Sequence, residues 1–190
     1  KMYGVNYDVI RNVPLPTESD ILPSTITPIF IYQGAVNEGR SFETLIPAMK
    51  NSDLPLKIYG DGNFLRQTRE LIEKYGVGEN VTLMGKLQPE ALRNATLTAY
   101  AGITLFENNG KSNYLSLANR FFDYIQAGIP QLCVDYPAYR EINSKYEVAL
   151  LIQDLSPESI AQALNLLAHD RVLYERLRKN CLQEIGRAHV

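Results

Sequence analysis

The sequence predicts an α/β protein built on a doubly wound parallel sheet, and three observations carry that prediction. Short apolar runs recur along the chain, stretches with apolar residues at helical spacing separate them, and the runs are continuous rather than alternating. Continuous apolar runs mark strands buried on both faces, and parallel strands need crossover connections that are usually helices. Strand and helix in alternation therefore close into a parallel sheet covered on both sides.

The elements follow in order. Tyr7 to Ile10 alternates like a short strand, and Asn12-Val13-Pro14-Leu15-Pro16 with Pro23 and Pro28 forms a proline-spaced stretch read as a linker. Residues 1–28 are thus expected to be the end of a preceding domain and its linker, and 29–190 the doubly wound domain. Buried strands are expected at Ile29 to Tyr32, Leu56 to Tyr59, Val81 to Met84, Ala101 to Leu105, Gln131 to Val134 and Val148 to Ile152. After the first strand, Phe42, Leu45, Ile46 and Met49 form a helical stripe. Asn63 is expected to cap a helix carrying Phe64, Thr68, Leu71, Ile72 and Tyr75, with Gly76 as its stop. Pro89 sets the first turn of a helix with Leu92 and Ala95, since proline there loses no hydrogen bond. Ser156-Pro157-Glu158 repeats the device before Ile160, Ala163, Leu164 and Leu167, and Asp170 opens a last helix with Leu173, Leu177 and Cys181.

Composition narrows the function classes. With 190 residues, 45% hydrophobic and 21% charged, the chain is neither disordered nor fibrous. A formal charge of −2 leaves no whole-chain positive field for a nucleic-acid backbone, so no nucleic-acid partner is expected. Cys133 and Cys181 have no metal or disulfide spacing and are expected to be free thiols in a reducing compartment. No apolar run approaches the roughly 20 residues that span a bilayer. Lys1-Met2-Tyr3-Gly4 resembles neither a signal peptide nor a natural start, so the chain is expected to begin within a longer protein.

In doubly wound sheets, ligands sit beyond the carboxyl ends of the strands, where amides and helix N-termini converge. The first such loop, Gly34-Ala35-Val36-Asn37-Glu38-Gly39-Arg40-Ser41, offers two glycines for close backbone approach and Arg40 as a fork for phosphate oxygens. A solvated arginine beside an ordinary turn is the competing reading. Gly60-Asp61-Gly62-Asn63 follows the second strand and has Leu65 where a dinucleotide fingerprint has its third glycine, which argues against a dehydrogenase. The densest polar region runs from Glu107 to Tyr114 and continues into a helix on which Asn119, Asp123 and Gln126 share one side. Asp123 there could accept two vicinal hydroxyls of a ribose; the alternative is a solvated face with Arg120 or Lys111 as counter-ion. His169 and His189 fall away from every strand-end loop, and no cluster has metal-ligand spacing. Asn80-Val81-Thr82 and Asn94-Ala95-Thr96 match glycosylation sequons only by composition.

From Ile29 to the last helix, the order of these segments resembles the C-terminal, donor-binding half of the group 1 (family 4) glycosyltransferases of GT-B architecture. Ile31-Tyr32-Gln33-Gly34 with Arg40 resembles the opening strand and loop, with Arg40 at the family's lysine position. Leu56-Lys57-Ile58-Tyr59-Gly60-Asp61-Gly62 and Val81-Thr82-Leu83-Met84-Gly85-Lys86-Leu87 resemble the next two motifs. Asn119-Arg120-Phe121-Phe122-Asp123-Tyr124-Ile125-Gln126-Ala127-Gly128-Ile129-Pro130 resembles the most specific signature, PNKFFEYLAAGKPV.

The resemblance implies a Rossmann-like nucleotide-sugar-binding domain that moves a hexosyl unit to an acceptor hydroxyl, with retained configuration and no resident cofactor or metal. It implies Arg40 at the diphosphate as the catalytic cation and Asp123 at the ribose hydroxyls. Gly85 and Lys86 would meet the base, the loop carrying Tyr114 and Ser116 would meet phosphate, and Gly34, Gly60, Gly62 and Asn119 would line the same face. The N-terminal GT-B partner domain would carry the acceptor site and any peripheral membrane contact, in a cytoplasmic setting at the inner membrane face; the fragment alone would be inactive. Polysaccharide biosynthesis is the implied context.

Two departures qualify this expectation. The first acid of the family's pair should lie eight positions before Asp123, where the chain has Leu115; Glu107 would replace it only if its loop folds inward. Ala35 stands where an arginine commonly follows the opening glycine, leaving Arg40 as the strong cation of that loop. The alternatives are a non-catalytic nucleotide- or glycan-binding module of the same fold and half of a GT-B nucleotide-sugar epimerase.

Overall fold

The computed structural model describes residues 26–187, with side chains described to residue 183. Tyr7 to Ile10, the proline-spaced stretch as far as residue 25, and His189 lie outside the described residues.

The predicted strands are all present: β1 (Thr27–Gln33), β2 (Leu56–Tyr59), β3 (Val81–Gly85), β4 (Ala99–Thr104), β5 (Gln131–Val134) and β6 (Ala149–Ile152). They form one six-stranded sheet in the order β3-β2-β1-β4-β5-β6. Each neighbouring pair is parallel, for example Phe30 beside Leu56 and Ile31 beside Gly102. Burial explains the continuous apolar runs: Phe30 and Tyr32 enter the larger core while Ile29 and Ile31 enter a second core on the other face. A strand with both faces covered has no solvent side on which to alternate.

The helices are α1 (Phe42–Ala48), α2 (Leu65–Tyr75), α3 (Pro89–Thr98), α4 (Lys111–Leu115), α5 (Asn119–Gln126), α6 (Pro137–Tyr146), α7 (Pro157–His169) and α8 (Arg171–Arg187). Several ends are the ones the sequence announces. Gly76 closes α2 in the left-handed conformation, the Ser156 side chain accepts from Ser159 N at the start of α7, and Asp170 accepts from Leu173 N ahead of α8. Asn63 behaves differently from expectation. Its side chain accepts from Glu38 N at 3.2 Å, and α2 starts at Leu65 behind an uncapped Phe64. The amides ahead of α2 find partners across the first loop instead, Asn63 N on the Asn37 side chain and Phe64 N on Val36 O.

α6 has no counterpart among the predicted elements, and α4 lies within the region expected to be loop. Cys133 and Cys181 are buried thiols outside any disulfide among the described residues. Among the described residues, no helix is long and apolar enough to cross a membrane, and no group of three or more potential ligands could hold a metal ion.

The chain winds one way from β1 to β3 and the other way from β4 to β6, so the topology switches between β1 and β4. On one side of that switch the carboxyl ends of β1, β2 and β3 are tied by backbone bonds: Gly34 N donates to Tyr59 O and Gly60 N to Gly85 O. Gly60 adopts φ +150°, and a Cβ there would lie 1.8 Å from Gly34 O, so only glycine lets these two turns touch.

Candidate functional site at the strand-switch crevice

Three adjoining clefts open along the carboxyl ends of β3, β2, β1 and β4. The central one, about 390 Å³, is lined by Gly34, Arg40, Ser116, Asn119, Arg120 and Asp123 among others. A second, of about 650 Å³, lies over Gly60, Gly62 and Lys86 and shares Gly34, Ala35 and Leu92 with the first. A third, of about 290 Å³, runs between α3 and α5 and shares Gln33 and Asp123 with the first. The structure thus brings together eight of the residues singled out from the sequence. Gly85 stands just behind them, its carbonyl holding Gly60 N. Tyr114 lines none of the three clefts; its ring packs on Tyr136 with centroids 5.0 Å apart.

Arg40 is placed by the loop between β1 and α1. Its Nη1 donates to Asn113 Oδ1 at 3.2 Å and its guanidinium stacks 4.5 Å from the Phe106 ring centre. Asn113 in turn donates to Asn109, and Glu107 N donates to Gly39 O, so the loop after β4 leans on the loop after β1. Burial, and then the neighbouring charge of Arg120, lower the Arg40 pKa from its ordinary value.

Asp123 sits on α5 with its carboxylate accepting from Gln33 Nε2 at 2.8 Å, while Gln33 Oε1 accepts from Thr96. Gln33 is bonded at both ends of its amide and fixes the carboxylate from the last residue of β1. Burial raises the Asp123 pKa above the ordinary aspartate value, against the pull of the Gln33 bond and of Arg120.

Glu107 does not take the place of the missing first acid. Leu115 at that position is 60% exposed, and the Glu107 carboxyl is turned toward Glu43 and the Ser41 backbone and lines none of the clefts. Burial and the repulsion and bonding of Glu43 raise the Glu107 pKa.

Arg120 is the residue the sequence reading missed: it entered there only as a counter-ion, with Lys111 as the other choice, in the alternative of a solvated face. Only 8% of Arg120 is exposed. Its Nη1 donates to Gln33 O at 3.3 Å, and its guanidinium lies 4.5 Å from the Tyr32 ring centre and 4.6 Å from that of Phe106. The signal was its spacing: Arg120 is four residues before Tyr124, which is fully buried, and the two share the inward side of α5.

The family model for glycosyl transferases group 1 matches residues 18–183. No curated protein matches the chain. Among solved structures, the fold is similar to WaaG, a glycosyltransferase involved in lipopolysaccharide biosynthesis, with TM-score 0.66 and 16% identity over 87% of this chain and 44% of that one. It is similar to Anabaena Alr3699/HepE in complex with UDP and glucose, with TM-score 0.67 and 12% identity over 85% of this chain and 44% of that one. It is also similar to the C-terminal domain of the group 1 family protein LpcC from Francisella tularensis, with TM-score 0.69 and 13% identity over 86% of this chain and 87% of that one. The chain therefore spans less than half the length of WaaG and HepE, and its Rossmann-like fold is that of the C-terminal domain of GT-B glycosyltransferases. With the family model covering most of its length, the chain belongs to the group 1 glycosyl transferases.

Proposed function

We propose that this domain binds a nucleotide-sugar donor and supports transfer of its hexosyl unit to an acceptor hydroxyl, with retained configuration. The observation that carries the reading is the pairing, in one 390 Å³ crevice at the strand switch, of a partly buried cation, Arg40, with a carboxylate fixed by Gln33, Asp123. A nucleoside diphosphate offers matching groups: anionic phosphates for Arg40 and vicinal hydroxyls that donate hydrogen bonds to Asp123. The UDP held by the HepE structure is of this class. Retention rests on the motif resemblance.

In this reading the leaving diphosphate is stabilised by side-chain and backbone donors set in place before reaction, the arrangement that favours a charge developing in the transition state. Arg40 supplies the side-chain charge, and the N-terminal end of α5, whose Ala118, Asn119 and Arg120 line the crevice, supplies amide dipole. No resident cofactor takes part. The acceptor site belongs to the remainder of a longer protein, together with any contact at the inner membrane face.

One observation favours a second reading, binding without transfer: the exposed Leu115 stands where a carboxylate would meet the donor sugar.

The test is a calorimetric and thermal-shift titration of the chain with UDP, GDP, ADP and CMP, alongside R40A and D123A. One nucleotide is expected to bind and, at one hundred times its dissociation constant, to stabilise the fold by about 2.7 kcal/mol. Both substitutions are expected to remove the effect. A folded chain that binds none of the four at millimolar concentration refutes the donor-binding reading; nucleotide binding by a full-length protein that transfers no sugar selects the second.

A further inference from the structure

We infer that Arg120 is a second cation of the central crevice and completes, with Arg40, a site for a diphosphate group. The ligand rests on the nucleotide-sugar reading above, but the chemistry is shared by any diphosphate, free pyrophosphate included.

Arg120 lacks partners for two of its donor atoms. Its Nε and Nη2 are buried without a hydrogen-bond partner, and among the described residues no carboxylate comes within ion-pair distance of it. Asp123, three residues on, is held by Gln33, and its attraction acts only through space. The other charge that faces Arg120 is Arg40, which repels it. A buried guanidinium with unused donors, stacked beside a second guanidinium on the same Phe106 ring, is expensive unless an anion completes it.

The geometry says where that anion goes. Arg120 Nη1 lies 3.4 Å from the place a Cβ of Gly34 would occupy, directly under the turn that lines two of the clefts. Glycine at 34 and alanine at 35 leave that turn without a charged side chain, and Arg120 reaches the same spot from α5. Among the described residues its one hydrogen bond is long, 3.3 Å to Gln33 O, and the two rings hold its faces, so the edge carrying Nε and Nη2 is left for an incoming phosphate. An anion seated over Gly34 meets Arg40 from one side, Arg120 from beneath and the N-terminal end of α5 beside it.

A purely structural arginine makes the opposite predictions from an anion-completing one, and R120M separates them. Apolar Met keeps the stacking volume and removes the unpaired charge. The urea midpoint of the ligand-free chain is therefore expected to hold or rise. Pyrophosphate affinity by calorimetry is expected to fall about 10- to 100-fold, the range of one or two charge-assisted bonds. Affinity of R120M within twofold of the parent overturns the inference, as does a parent chain that binds no pyrophosphate at tens of millimolar.

If R120M does not fold, the Nε–Hε resonances of the unsubstituted chain carry the test, with Arg120 identified by its loss in R120K. A shift of that resonance on adding pyrophosphate supports the inference; a resonance that stays still while others titrate overturns it. Failure of the functional reading looks different. Pyrophosphate binding through Arg120 with no added affinity for UDP, GDP or ADP removes the nucleotide and leaves the anion site. Nucleotide binding unchanged in R120M removes Arg120 and leaves the nucleotide.

Discussion

Asp123 and Arg120 are three residues apart on one short helix and were read very differently from sequence. Asp123 was legible because an acid among Asn119 and Gln126 marks a polar helix face opening on a strand-end loop. Arg120 was not, because arginine is presumed to reach water, and only the aromatic surfaces of Tyr32 and Phe106, brought from two strand ends, show where it goes. Asp123 also carries a prediction. Its carboxyl is raised by burial, so the folded state holds its proton more tightly than the unfolded chain does, and that contribution to stability is present at low pH and lost as pH rises through the raised value. D123N, which keeps an oxygen to accept from Gln33, is therefore expected to be as stable as the parent or more so at neutral pH. The difference should shrink as pH falls through the carboxyl's raised value, while nucleotide binding is lost throughout. Melting curves of both chains between acid and neutral pH check this; a D123N chain less stable than the parent at every pH makes the carboxylate a structural group.

At the scale of elements, α5 matters most because it presents Asn119, Arg120 and Asp123 from a single rigid support. Its anchor is Tyr124, wholly buried, whose hydroxyl donates to Ile31 O and accepts from Gln33 N, each at 3.2 Å. Burial drives the Tyr124 pKa far upward, so the hydroxyl stays protonated and keeps both bonds. The ring can lie there only because β4 has Gly102 beneath it: a Cβ would come 2.3 Å from the ring. G102A is expected to cost about 1–3 kcal/mol, the usual range for overpacking a core. It should also weaken nucleotide binding by lifting α5 from β1, whereas S156A, which removes the cap of α7, should cost about 1 kcal/mol and leave binding alone. Urea unfolding with parallel titration of nucleotide distinguishes the two; equal binding by both chains would detach α5 packing from the site. The central strands were readable because burial on two faces writes itself into consecutive residues, whereas β3, expected to be buried as well, is an edge strand with Thr82 and Met84 exposed. α6 was harder: its buried positions, Tyr139 and Ile142, are few. The Asn63 cap failed for a related reason, since its partner Glu38 N lies on a different loop and no local pattern specifies that meeting.

The whole molecule is one sheet whose two halves wind away from β1 and β4, so the crevice is the seam between them and its geometry depends on both halves staying folded together. The two cysteines report on that directly. Cys133 lies in β5 and Cys181 in α8, where its sulfur packs against the carbonyls of Ile129 and Val148; both are completely buried. Burial pushes the Cys133 thiol well above its ordinary pKa, and alkylation needs both access and thiolate, so native Cys133 should be inert. In urea, Cys133 and Cys181 are expected to become reactive over the same range, because α8 packs on α5 and α5 on β4 within one connected core. A nucleotide that binds only the folded domain should slow both labelling rates by one plus its concentration over its dissociation constant, about 100-fold at one hundred times that constant, when opening and closing are fast. Peptide mapping of alkylated protein resolves the two sites. Labelling of Cys181 ahead of Cys133, with protection by nucleotide at Cys133 alone, would mean that α8 opens separately from the seam and that ligand binding does not depend on it.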